Sequence, residues 1–140
     1  PASKAADQSN ATAVLADVTS LGLAVESGKS YDFDIYLPYT GDTNASAPIT
    51  LALTGPTSSF LGYDVYVQNS NTGKSEATRT AFASSFTGGN VTTAGTIYVA
   101  RIRGRVAATA AGTLQPQFAG DGTHTNVIKA GAYGTARQVA

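Results

Sequence analysis

Apolar residues in this chain recur at every second position. That spacing builds a pleated strand with one buried face and does not build an amphipathic helix. In the segment from Ser30 to Tyr39, Tyr31, Phe33, Ile35 and Leu37 share one face, and Asp32, Asp34 and Tyr36 share the other. A second run alternates Tyr98, Ala100, Ile102, Gly104 and Val106 with Ile97, Val99, Arg101, Arg103 and Arg105. Three arginines therefore line one face of a long strand. Helical period is almost absent.

The same reading places further strands. Val14, Leu15, Val18, Leu21, Leu23 and Val25 predict one or two strands interrupted near Ser20 to Gly22. Ile49, Leu51 and Leu53 form a strand stopped by Gly55 and Pro56. Leu61, Tyr63, Val65 and Val67 alternate against Gly62, Asp64, Tyr66 and Gln68. A turn cluster from Asn69 to Ser75 should close a hairpin onto a weak edge strand that ends at Phe86. Ala107 to Gly112 is expected as a connection able to take a short helical turn. Leu114, Pro116 and Phe118 predict a strand that the proline marks as edge or bulged. Val127 and Ile128 start a last strand that runs towards Gly131 and beyond. Seven to nine short strands at such spacing predict an all-β fold, an antiparallel β-sandwich or jelly-roll-like body with little or no helix. Residues 11–140 are expected as one domain. Pro1 to Asn10 are expected as a flexible polar arm that cannot order by its own burial.

Composition removes several functions. No cysteine is present, which excludes disulfide scaffolds, thiol nucleophiles and thiolate metal sites. Nine basic residues balance nine acidic ones, so no field draws nucleic acid or an anionic membrane. No apolar stretch approaches the roughly 18 residues of a membrane helix. The N-terminal residues show no basic region followed by an apolar one, so synthesis in a host cytoplasm without a signal peptide is expected.

Chemistry finds little purchase. His124, the only histidine, sits in a turn beside Asp121 and reads as a surface loop residue. No G-x-S-x-G elbow occurs. Two Gly-Lys-Ser triplets, at Gly28 and Gly73, lack the upstream glycine of a phosphate loop, since Leu23 and Gln68 stand there. Both read as hairpin turns. Asp32 and Asp34 lie about 7 Å apart on one strand and project in parallel, which is poor geometry for a catalytic pair. Arg101, Arg103 and Arg105 offer the complementary charge, either on a neighbouring strand or across a subunit contact. Tyr36, Tyr39, Tyr66 and Tyr98 include several outside the core pattern, and exposed tyrosine is enriched at interfaces. No catalytic residue, metal ligand or cofactor is expected. The expected interface residues are Asp32, Asp34, Tyr36, Tyr66, Arg101, Arg103 and Arg105. Asn10, Asn44 and Asn90 match the glycosylation pattern and read as chance matches in a Thr-rich chain.

The order of segments resembles a known group. NATAVLADVTSLGLAV is followed by ESGKSYDFDIYLPY and ITLALTGP, then by TIYVARIRGRV, AAGTLQPQFAG and VIKAGAYGTARQV. This order resembles the small all-β domains of tailed-bacteriophage virion proteins, most of all head decoration (cement) proteins. The resemblance spans about residues 10 to 138. It implies a virion protein on the outer surface of the head, bound as a homotrimer to the major capsid protein at threefold or quasi-threefold positions. A domain carrying only a short arm suits a cement protein better than a fibre, which has a long stalk. The alternative is a tail-fibre or baseplate-associated receptor domain that binds carbohydrate, with Asp34, Tyr36, Asp64 and Tyr66 as candidate glycan contacts.

Overall fold

The computed structural model describes residues 1–139. Among them the fold is all-β, thirteen antiparallel strands in two sheets. The strands are β1 (Ala2–Ser3), β2 (Gln8–Asn10), β3 (Ala16–Asp17), β4 (Leu23–Val25), β5 (Ser30–Gly41), β6 (Thr50–Thr54), β7 (Ser58–Gln68), β8 (Lys74–Arg79), β9 (Phe86–Thr87), β10 (Tyr98–Ala108), β11 (Gly112–Ala119), β12 (Asn126–Ile128) and β13 (Tyr133–Gln138). The larger sheet runs β1-β13-β5-β10-β7-β8, with β12 beside the far end of β5 and β2 outside β12. The smaller runs β3-β11-β6-β9, with β4 also on β11. Alternation locates β5, β6, β7, β10 and β11. The weak edge strand expected to end at Phe86 is β8, which ends at Arg79, and Phe86 opens β9 in the smaller sheet.

Between the sheets lies one core. Phe33, Ile35, Leu37 and Tyr39 of β5, Ile102 and Val106 of β10, and Val65 and Val67 of β7 face Leu51, Leu53, Leu114 and Phe118 of the smaller sheet. Tyr39 and Tyr98 belong to this core, not to a surface, with rings 6.3 Å apart. The Tyr39 hydroxyl donates to the Gln68 carbonyl at 2.6 Å. That bond and burial leave no easy route to the phenolate, so its pKa is driven well above the ordinary range, chiefly by desolvation. Gly104 sits on the inner face between Phe33 and Tyr63. Its missing side chain lets those two rings meet at 6.3 Å, a tilted aromatic contact across three strands. A Cβ there would strike the Tyr63 backbone and the Gly62 carbonyl.

Several expectations need correction. The N-terminal ten residues are laid along the larger sheet: Ala2 and Ser3 pair with Gly134 and Tyr133, and Gln8 to Asn10 pair with β12. Lys4 is only 6% exposed and bonds to Thr19. Asp7 accepts from Lys129 and from the Ala130 amide. Main-chain pairing orders this segment, and main-chain pairing needs no apolar period. Ala107 and Ala108 continue β10, and Gly112 opens β11, so the connection is the short bend Thr109–Ala111 with no helical turn. Alanine's helix preference is too weak to override a sheet partner on each side. The Gly28 turn, at φ 77°, carries the chain from β4 in the smaller sheet to β5 in the larger; it is not a hairpin. The Gly73 turn does close the β7–β8 hairpin. The last strand is two, β12 and β13, broken at Gly131, φ 96°.

Pro116 is neither at an edge nor in a bulge: β11 is flanked on both sides. In an antiparallel strand a residue's N–H and C=O point to the same side. The Pro116 carbonyl accepts from Val18 at 2.9 Å, so its missing donor faces the break between β3 and β4. The Gln115 side-chain amide helps fill that break by donating to the Val18 carbonyl. Pro38 repeats the device within β5. Its carbonyl accepts from Lys129, at the turn between β12 and β13. Each internal proline therefore stands opposite an interrupted neighbour, where no ladder bond is lost.

Candidate binding face

The outer face of the larger sheet collects every expected interface residue. Register builds it in rows across the strands. One row is Arg137, Asp32, Arg105 and Gly62; the next is Thr135, Asp34, Arg103, Asp64 and Thr78; the third is Tyr133, Tyr36, Arg101, Tyr66 and Glu76. β5 and β10 are neighbours, so the complementary charges pair inside the chain. Arg105 grips Asp32 through two bonds of 2.6 and 3.1 Å. Arg101 reaches diagonally to Asp34 through bonds of 3.0 and 2.6 Å. Both are two-pronged pairs, the geometry in which a guanidinium binds a carboxylate best. The Arg105 bond, with Arg137 at 3.6 Å behind it, holds the Asp32 carboxyl below its ordinary range. The Asp34 bond likewise raises Arg101. Tyr36 stacks on Tyr133 at 5.2 Å and 22°, and the Lys74 ammonium stands 5.9 Å from the Tyr66 ring.

Arg103 is the exception. It lies directly opposite Asp34 on one side and Asp64 on the other, yet among the described residues no carboxylate comes within ion-pairing distance. Asp34 is engaged by Arg101, and Asp64 accepts from the Thr78 hydroxyl at 3.0 Å. Arg103 is exposed at the meeting of two hollows. The first, about 660 Å³, is lined by Phe60, Gly62, Asp64, Arg103, Arg105 and Thr135 among others. The second, about 410 Å³, holds Asp64, Tyr66, Gln68, Glu76, Arg101 and Arg103. Phe60 is 55% exposed, and the tip of its ring lies beside Gly62, 3.5 Å from where a side chain would begin. Phe60 and Gly62 were readable as outward positions of β7. Tyr133, Thr135 and Arg137 were missed because the closing segment's phase depends on the break at Gly131.

One grouping was legible only in part, as His124 beside Asp121. His124 Nδ1 lies 2.7 Å from Asp121 Oδ2, and Ser46 Oγ lies 3.3 and 3.4 Å from the two ring nitrogens. Residues 78 apart in sequence thus bring Ser, His and Asp together. The hydroxyl is nearly equidistant from the two nitrogens and makes no short, in-line contact with Nε2. A general base needs that in-line contact at about 2.6–3.2 Å, so this trio is no catalytic triad as it stands. It works instead as a clasp: the His124 side-chain bond, with the His124 and Thr123 amides, lowers the Asp121 carboxyl to about 2. Asp42 closes the same junction by accepting from the Thr125 amide. No group of three or more metal-ligating side chains occurs among the described residues. Of the glycosylation-pattern residues, Asn10 is buried and donates to the Val14 and Phe118 carbonyls.

The outer face of the smaller sheet is different in kind. Thr50, Ala52 and Thr54 of β6 lie beside Thr113, Gln115 and Gln117 of β11, with Ala24 and Asp17 next to them. Among the ladder-paired residues of this face Asp17 is the charged one, and it accepts from Gln117 at 2.9 Å. No protein-family model matches this chain, and neither a curated protein nor a solved structure matches it.

Proposed function

We propose that this chain is a structural protein of a tailed-phage virion, a head decoration (cement) protein. In this reading it binds the assembled shell as a homotrimer at threefold or quasi-threefold positions, and the major capsid protein is its partner. The observation that carries the reading is the contrast between the two outer faces. Small and mostly uncharged side chains on a sheet face suit close, symmetric packing. The smaller sheet is therefore assigned to the shell and to sister subunits, which departs from the expectation that Asp32, Asp34, Tyr36, Tyr66, Arg101, Arg103 and Arg105 of the larger sheet form that interface. The charged and aromatic face, with most of its ion pairs closed inside the subunit, is turned outward. A ligand that binds only the assembled shell stabilises it by mass action, about 2.7 kcal/mol at a hundredfold excess over Kd. Several weak contacts per trimer multiply through avidity.

Size-exclusion chromatography with light scattering tests the stoichiometry, with three times the 14.2 kDa chain mass expected. Shells assembled without the protein should take it up and resist heating better. Thr54→Arg and Thr113→Arg should abolish uptake, whereas Arg103→Gln should leave it intact. A monomer that ignores the shell overturns the reading, and the reverse pattern of variants overturns the assigned orientation. The hollows beside Arg103 favour a second reading, a carbohydrate-binding receptor domain on a tail fibre or baseplate. Labelling of intact particles with an antibody against the chain separates head from tail.

A further inference from the structure

We infer that the two hollows flanking Arg103 form a binding track for an acidic saccharide, with Arg103 receiving a sugar carboxylate. The inference deepens the carbohydrate-binding reading of this face and rests on it. Arg103 is the guanidinium on the face that the neighbouring carboxylates leave free. A free guanidinium fork in a hollow takes a carboxylate through two parallel bonds.

Beside it stands Asp64, one of whose oxygens accepts from Thr78. The other is available to accept from ligand hydroxyls. Phe60, 55% exposed with the tip of its ring beside Gly62, offers an aromatic surface at one end of the track. Tyr66 offers another at the far end, six residues along β7, or about 20 Å at strand rise. Aromatic rings spaced along a strand, with a charged donor and an acceptor between them, match a chain of rings that are apolar on their faces and hydroxylated at their edges.

Other chain-like ligands fit less well. An extended peptide docks on a sheet edge, where main-chain groups are free. Here β5, β7 and β10 lie inside the sheet, with ladder partners on both sides. Recognition must come from side chains alone. Nucleic acid needs a net positive field, and Asp32, Asp34, Asp64 and Glu76 share this face with the arginines.

The test uses the full chain on an array of uronate- and sialate-bearing glycans, each with its methyl-esterified or neutral counterpart, followed by calorimetry on the strongest acidic glycan. Saturable binding of carboxylate-bearing glycans is expected, weaker at high salt. Esterification and Arg103→Gln should each weaken it by about tenfold or more. Arg103→Lys, which keeps the charge and loses the fork, should also weaken it. Phe60→Ala should lower affinity several-fold, and Val14→Ala, at an exposed position outside both hollows, should not. Circular dichroism melts confirm that each variant is folded. Equal affinity for esters and acids, or an unchanged Arg103→Gln, overturns the acidic-ligand inference while leaving carbohydrate binding standing. No binding to any glycan overturns both.

Discussion

The two outer faces of this sandwich are built from the same alternation and end in opposite chemistry. On the larger sheet, outward positions carry Asp32, Asp34, Arg101, Arg103, Arg105, Tyr36 and Tyr66, arranged in rows by strand register. On the smaller sheet they carry Thr, Gln and Ala. Inward positions are alike on both: branched aliphatics and aromatics that meet in one core. Apolar alternation is thus enough to make a sheet, and function is left to the residues that alternation does not constrain. The charged face also shows how register ranks contacts. Arg101 takes Asp34 diagonally and Thr78 bonds to Asp64, and Arg103 between them has no carboxylate partner among the described residues.

The contrast can be broken hardest at a pair of adjacent glycines. Gly104→Val drives a side chain into the Gly62 carbonyl and the Tyr63 backbone and separates the Phe33 and Tyr63 rings. A loss of about 3 kcal/mol or more is expected, read by urea unfolding. Gly62→Ala, one ladder position away and facing outward, meets only the Phe60 ring at ordinary contact distance. It should cost no more than about 1 kcal/mol. Equal effects at the two sites would mean that the inner and outer faces are not distinguished as described.

Acid is the next lever. The carboxyls held low are Asp7, Asp32, Asp42 and Asp121, on the larger sheet or in the loops that lead into it. A depressed carboxyl contributes stability above its unfolded value of about 3.9, and that contribution is lost as pH falls through the folded value. For Asp121 that folded value is about 2. Amides of β1, β2, β12 and β13 should therefore lose exchange protection between about pH 4 and pH 2, before those of β6 and β11. Simultaneous loss in both sheets would remove the asymmetry. Asp121→Asn should flatten the dependence at the β11–β12 junction.

Smaller effects sharpen the comparison. Asp34→Asn breaks a two-pronged pair whose side chains are about one-third exposed, 37% and 34%. A loss below about 1 kcal/mol is expected, and it should shrink in high salt. Thr113→Ala on the smaller sheet should change stability by no more than about 0.5 kcal/mol in either direction. Thermal melts at two salt concentrations check both. A salt-independent loss for Asp34→Asn would show that the pair acts by packing and not by charge.

The long strands could be read from side-chain period, because a half-buried strand must alternate. The short ones could not. β1 and β2 hold their places through main-chain bonds and the Asp7–Lys129 pair, and such bonds leave no apolar trace. Proline misled the reading for a related reason. Proline is excluded from a central strand only if its nitrogen faces a ladder partner. At Pro38 and Pro116 it faces a break in the neighbouring strand, a fact about the neighbour and not about the residue. Similarly, the Arg and Asp positions could be read as one face of each strand. Which arginine would lack a partner could not.

By itself the sequence determined the all-β class, the inward residues of the long strands and the supply of opposite charges on β5 and β10, because side chains on a pleated strand alternate whatever lies beside it. Only the tertiary structure decided which strands are neighbours. Register across those neighbours then set which charges pair, which proline is harmless, and that Ser46 meets His124. Those outcomes depend on distances between residues far apart in the chain, and no local pattern encodes such distances.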